Sequence, residues 1–231
     1  MPQSPSSKKR KLSPSADNGT ASKKAKKALL ATTTTTITIA PTTTTPRETI
    51  LALEEAIVES PKHYNNIVTL LAHLRGSLDA AADPQLAVTT AVALCRTFCR
   101  LMAKGRLLLR KAPLGHSGGG GDDEWAVAAW LRERYSDYTA LLCQALAHDN
   151  GGVQNTALTL LMRLVKDEAA LLRPAGHTCY FFPNESFAAI VRAIVAVPSS
   201  GGLTDEARRE WVGGYVDVFD DVRYSFFTAI R

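Results

Sequence analysis

Up to Arg47 the chain holds hardly any apolar residues, and a single acid stands against nine Lys or Arg. Ser, Pro, Lys and Thr fill the stretch instead. So little apolar surface cannot offset the ordering entropy of a fold, and 1–47 reads as a disordered basic tail. The same scarcity excludes a secretory signal, which needs an apolar core and a cleavage site. No run reaches the roughly 18 uninterrupted apolar residues of a membrane span, and no membrane partner is expected. Four Cys in 231 residues make no disulfide framework, so a reducing compartment is expected.

Several catalytic patterns are also missing. There is no Gly-x-x-x-x-Gly-Lys-Ser/Thr loop, and Gly118–Gly121 runs into Asp122-Asp123, which would repel phosphate. Neither a Gly-x-Ser-x-Gly elbow nor His-Glu-x-x-His occurs. Cys95 and Cys99 stand four apart, a spacing that could put two thiolates on one metal. No second Cys/His pair follows, and both lie on an apolar stripe, so they read as core residues. His177 and Cys179 are too close in sequence to face each other as a dyad. Asp220 and Asp221 point about 100° apart on a helix and suit pairing with Arg223 better than acid–base work. The chain is read as non-enzymatic, with no cofactor and no metal site.

What the sequence does contain divides at residue 48. Lys8, Lys9, Arg10 and Lys11 form one basic cluster, and Lys23, Lys24, Lys26 and Lys27 a second. The gap suits a two-part nuclear import signal gripped by the acidic pockets of an importin-type carrier, and predicts nuclear location. Ser4-Pro5, Ser13-Pro14 and Thr45-Pro46 are proline-directed phosphorylation candidates, and Thr runs at 32–36 and 42–45 form a low-complexity linker. Residues 48–231 carry 18 Lys or Arg and 21 Asp or Glu. That slight acidity argues against a surface built wholly for nucleic acid.

From 48 onward the spacing is helical, and the fold class is all-α. Segment 48–59 offers Ile50, Leu51, Leu53, Ile57 and Val58 as its apolar set. Ser60-Pro61 supplies the next start and Gly76 its stop. Asp83-Pro84 opens a long helix to about Lys104, with Val88, Val92, Cys95, Cys99 and Met102 as its apolar stripe, flanked by Leu94, Phe98 and Leu101. A further helix follows Asp122-Asp123, placing Leu131, Tyr135, Tyr138 and Leu142 inward. Gly151-Gly152 precedes helix 153–172. Asn184 caps a helix with Phe187, Ile190, Val191, Ile194 and Val195 at i, i+3, i+4, i+7 and i+8. Thr204 opens another. Uneven starts rule out a clean repeat, but antiparallel neighbours with variable loops predict an irregular HEAT-like stack, an α-solenoid.

Two surface features suggest binding. Arg96, Arg100, Lys104, Arg106, Arg110 and Lys111 fall in an acid-free stretch, the first three spaced by four on one helix side. They are candidate contacts for RNA or for an acidic partner. Aromatics are scarce before Tyr180, yet ten of the 16 lie from there to Arg231. Tyr215, Phe219, Tyr224, Phe226 and Phe227 form a candidate C-terminal docking edge. The final residues read as a helix that the chain leaves uncapped, an apolar edge for more chain or a partner to cover.

Several stretches between 48 and 231 resemble the N-terminal half of the nucleolar complex protein four branch of the Noc/CCAAT-binding-factor family. They are Lys62–Ile67, Ala93–Met102, Trp130–Tyr135, Ala157–Lys166 and Asp220–Tyr224. The order of these helix fragments along the chain carries the match. The resemblance implies a helical-repeat scaffold of the nucleolus that pairs with nucleolar protein fourteen and other factors of the small-subunit processome. It implies a role in rRNA processing and 40S biogenesis, with pre-rRNA as a possible contact. The family's signature domain lies further C-terminal than the matched stretch, so part of the partner-binding surface is expected outside it. An RNA-binding module using the tail and the Arg96–Lys111 patch is the alternative reading.

Overall fold

The computed structural model describes residues 45–79, 82–108, 121–172, 181–196 and 202–231. The tail clusters, Arg110, Lys111, His177 and Cys179 lie outside them. Among the described residues there are helices and no strand. The order is α1 (Pro46–Glu59), a 3-10 turn (Pro61–His63), α2 (Asn66–Ser77), α3 (Pro84–Ala103), α4 (Gly121–Ala145) and α5 (Gly151–Leu172). Then come α6 (Asn184–Val195), α7 (Asp205–Arg209), a π-helical segment (Glu210–Val216) and α8 (Asp220–Ala229). The all-α helical stack expected from the sequence is what forms.

Local chemistry sets most of the starts. Thr45 caps α1 through a capping box. Its hydroxyl accepts from the Glu48 N–H at 3.3 Å, and the Glu48 carboxylate accepts from the Thr45 N–H at 2.8 Å. The helix therefore begins two residues before the expected boundary. Asp83 caps α3 by accepting from the Gln85 N–H at 2.9 Å, with Pro84 in the first turn. At the other end Gly105 takes φ 67°, the left-handed conformation that releases the chain from α3.

Other boundaries moved. Ser60 caps only the 3-10 turn, so α2 starts at Asn66 and passes through Gly76 to Ser77. Gly151 and Gly152 lie within the first turn of α5, where the Asn150 carboxamide oxygen accepts from the Gly152 and Val153 N–H groups. Asn184 is the first helical residue of α6 and makes no cap hydrogen bond there. The last helix closes at Ala229, with the Ile230 N–H donating to the Phe226 carbonyl.

The core centres on α3, which packs against α1, α2, α4 and α5. Its length and apolar character would suit a membrane span, but over half of its most apolar window is buried inside the fold. The buried face keeps Cys95 and Met102 of the expected stripe but is centred on its expected flank. Ala87, Ala91, Leu94, Phe98 and Leu101 lie at its centre, whereas Val88, Val92 and Cys99 are only partly covered. A helix enclosed from several sides buries more than one stripe, so periodicity alone misplaces its centre. Thr90 and Thr97 are buried too, their hydroxyls donating to the Leu86 and Ala93 carbonyls.

Two polar contacts fix distant elements. The Tyr138 hydroxyl of α4 donates to the Ala91 carbonyl of α3 at 2.7 Å, while its ring stacks on Phe98 at 5.4 Å. The buried Gln154 donates to the His148 carbonyl and accepts from the Thr204 N–H, each at 2.8 Å. That second contact pins the start of α7 onto α5. On α6, Phe187, Ile190 and Val191 are buried as expected, but Val195 is exposed.

Candidate docking surfaces

α1 places Ile50, Glu54 and Ile57 on its buried face; Leu51 and Val58, expected there, are exposed. A carboxylate at i+4 from one core residue and i−3 from the next must point inward. It finds its partners on α3. Arg96 meets Glu54 through Nε at 3.0 Å and Nη2 at 2.5 Å, and Arg100 adds Nη1 at 2.8 Å. Glu54 was not a candidate in the sequence, though a lone acid inside an apolar stripe was the available signal. Half of each Arg side chain still faces solvent.

The basic patch is therefore divided. Arg96 and Arg100 are tied to Glu54, whereas Lys104 and Arg106 are exposed beyond the end of α3. Arg110 and Lys111 are outside the described residues.

The aromatic edge divides as well. Trp211 is buried at the centre of the C-terminal helices, with Phe226 edge-to-face on it at 5.8 Å and Tyr215 at 6.3 Å. Those two pack inward and build the core of this corner. Phe219, Tyr224 and Phe227 are exposed, Tyr224 at 75%. Asp220 pairs with Arg223 on the same helix, and the Asp221 carboxylate accepts from the Val222 N–H. The two carboxylates do not form a paired site.

One feature joins the two halves of the sequence-level candidates. A groove of about 750 Å³ runs between α3, α5 and the C-terminal corner. Val92, Leu160, Met162 and Val165 line its floor, Arg96 stands on one side, and Tyr215 and Phe219 stand at the far end. A second concavity of about 540 Å³ continues it along α3 and α5 past Arg100. Cys99, Arg163 and Ala170 border both. Sequence reasoning missed the α5 wall, where Thr159, Arg163, Lys166 and Ala170 had not been singled out.

Two thiols, those of Cys95 and Cys99, line this groove. Cys95 and Cys99 lie with sulfurs 3.8 Å apart. The contact between the two sulfurs holds the Cys95 thiol below its ordinary pKa, while that contact, burial and Asp167 push Cys99 well above. Burial raises Cys143 to about 11, leaving its thiolate scarce at neutral pH. Among the described residues no group of three or more His, Cys, Asp or Glu side chains could hold a metal.

Comparison with known proteins fits this architecture. The family model described as nucleolar complex protein 4-like, TPR repeats, matches residues 41–231. The chain belongs to that nucleolar complex protein 4-like family. The family's description names TPR repeats, which are helical repeats and agree with the α-solenoid expected from the sequence. An uncharacterized protein of Schizosaccharomyces pombe is 29% identical over 182 residues, covering 76% of this chain and 33% of that protein. The nucleolar complex protein 4 homolog of Homo sapiens is 28% identical over 181 residues, again 76% and 33%. That of Gallus gallus is 25% identical, covering 77% and 34%. The chain thus spans about a third of the length of these relatives. No solved structure matches it.

Proposed function

We propose that this chain acts without catalysis, as a docking scaffold in the nucleolar assembly of the small ribosomal subunit and in the rRNA processing that accompanies it. Family membership over residues 41–231 supports the nucleolar role. The single structural observation behind docking is the groove, where a cationic helix face and the exposed Phe219 border one apolar trough. Such a trough binds protein through shape and apolar burial and needs no reactive group. The partners proposed are nucleolar protein fourteen and other factors of the small-subunit processome, with import to the nucleus and nucleolus through Lys8–Lys11 and Lys23–Lys27.

Affinity purification of tagged Met1–Arg231 from nuclear extract, with and without RNase, tests this reading. Small-subunit assembly factors retained after RNase are the expected result. Their loss on RNase treatment would transfer the role to direct RNA binding. Lys104 and Arg106, exposed and absent from any ion pair among the described residues, are what favours that second reading. RNA binding through such cations would weaken with salt by about 0.7 log units per phosphate contact per decade.

A further inference from the structure

The α3–α5 groove is more cationic than the domain that holds it. Residues 48–231 have more acids than bases, yet Arg96, Arg100, Arg163 and Lys166 border the two connected concavities against Asp167 and Asp221. Arg163 is steadied by Asp167 at 3.0 Å, as Arg96 and Arg100 are by Glu54. Lys166, one turn from Arg163, is exposed and makes no ion pair among the described residues. Between these rims the floor is aliphatic, with Val92, Leu160, Met162 and Val165 presented to the trough.

We infer that the groove receives an acidic amphipathic helix of a partner protein, whose apolar face fills the trough while its carboxylates meet Lys166, Arg163 and Arg100. This deepens the docking reading above and rests on it. An amphipathic helix lays apolar anchors at i, i+3, i+4 and i+7 into a trough, and sets charges along its edges. Charge selects among occupants. The chain's own residues 1–44, with eight Lys or Arg and one acid, would bring like charge to the rims. A nucleic-acid strand carries charge at every nucleotide and would press it against Asp167 and Asp221. A helix sets its few carboxylates only where the cations are.

Photo-crosslinking from the groove tests the inference in the full chain. A benzophenone amino acid at Thr159, an exposed residue of the groove wall, is activated in nuclear extract and the joined segment is sequenced. The expected product is a partner segment with helical apolar spacing and an excess of Asp and Glu. Its yield should fall about tenfold with Lys166→Glu and with Ala170→Trp, as expected when a close charge pair or a filled trough is lost. Ala170 is exposed and borders both concavities, so the indole plugs the groove without entering the core. Crosslinks to RNA, to residues 1–44, to a second copy or to a basic segment would overturn the inference, as would unchanged yield in both folded variants. RNase-resistant retention of assembly factors by Ala170→Trp would sink the groove while leaving the docking reading intact.

Discussion

Arg96 closes a fork on Glu54, its Nε and Nη2 reaching the two carboxylate oxygens at 3.0 and 2.5 Å across 42 residues of sequence. Arg100 reaches the same carboxylate from one turn further along α3. The relationship ties α1 to α3 and anchors two of the cations that the groove presents. Both Arg side chains are about half exposed while the Glu54 side chain is only 8% so. The acid, not the bases, therefore bears the desolvation cost.

A mutant cycle follows from that asymmetry. Arg96→Met alone should cost about 1 kcal/mol, because Arg100 still serves the carboxylate. Arg96→Met with Arg100→Met should cost roughly 3 kcal/mol by stranding a buried charge. Adding Glu54→Leu should recover most of the loss. Urea denaturation of the parent and these three variants checks the order, and a triple variant no more stable than the double would refute it.

Gln154→Leu should destabilise by about 2 kcal/mol, since the His148 carbonyl and the Thr204 N–H would lose their partner together. The damage should concentrate at the start of α7. Hydrogen exchange should show faster opening around Thr204 to Ala207 than in α1 or α2.

Glu168 supplies a pH prediction. Burial pushes its carboxyl above the ordinary range, partly offset by a hydrogen bond with Ser186 and by the Arg132 charge. The folded chain then holds this proton more tightly than the unfolded one, so its contribution falls as pH rises through that window. Glu168→Gln should melt at a higher temperature than the parent at pH 7. The difference should vanish below about pH 4, where both states are protonated. A gain that persisted in acid would contradict the assignment.

The exposed aromatics should separate docking from folding. Tyr224→Ser should change stability by less than about 0.5 kcal/mol, as substitutions on an open surface do. If the C-terminal edge docks, the same protein should lose RNase-resistant partners in the pull-down. Phe226→Ser should instead unfold this corner, because Phe226 packs on Trp211.

Removing residues 1–30 should abolish nuclear accumulation of a fusion too large to diffuse through the pore, if the two basic clusters carry import. Imaging decides it. Nuclear enrichment of the deletion would mean carriage on a bound partner instead.

The helices were legible because their signals are local. Asp83-Pro84 marks the start of α3, and the spacing of Phe187, Ile190 and Val191 reports the covered face of α6 from residues one turn apart. Caps were read less well: Ser60 and Asn184 have the right chemistry, but whether a helix takes up a cap depends on the direction in which packing leads the chain. The sequence also marked Arg96, Tyr215 and Phe219 as surface candidates without showing that one groove joins them. That join, the burial of Glu54 and the bond from the Thr204 N–H to Gln154 all involve elements 40 or more residues apart. Periodicity fixes which residues share a face, whereas packing alone decides which faces meet, and the groove exists only where α3, α5 and the C-terminal corner come together.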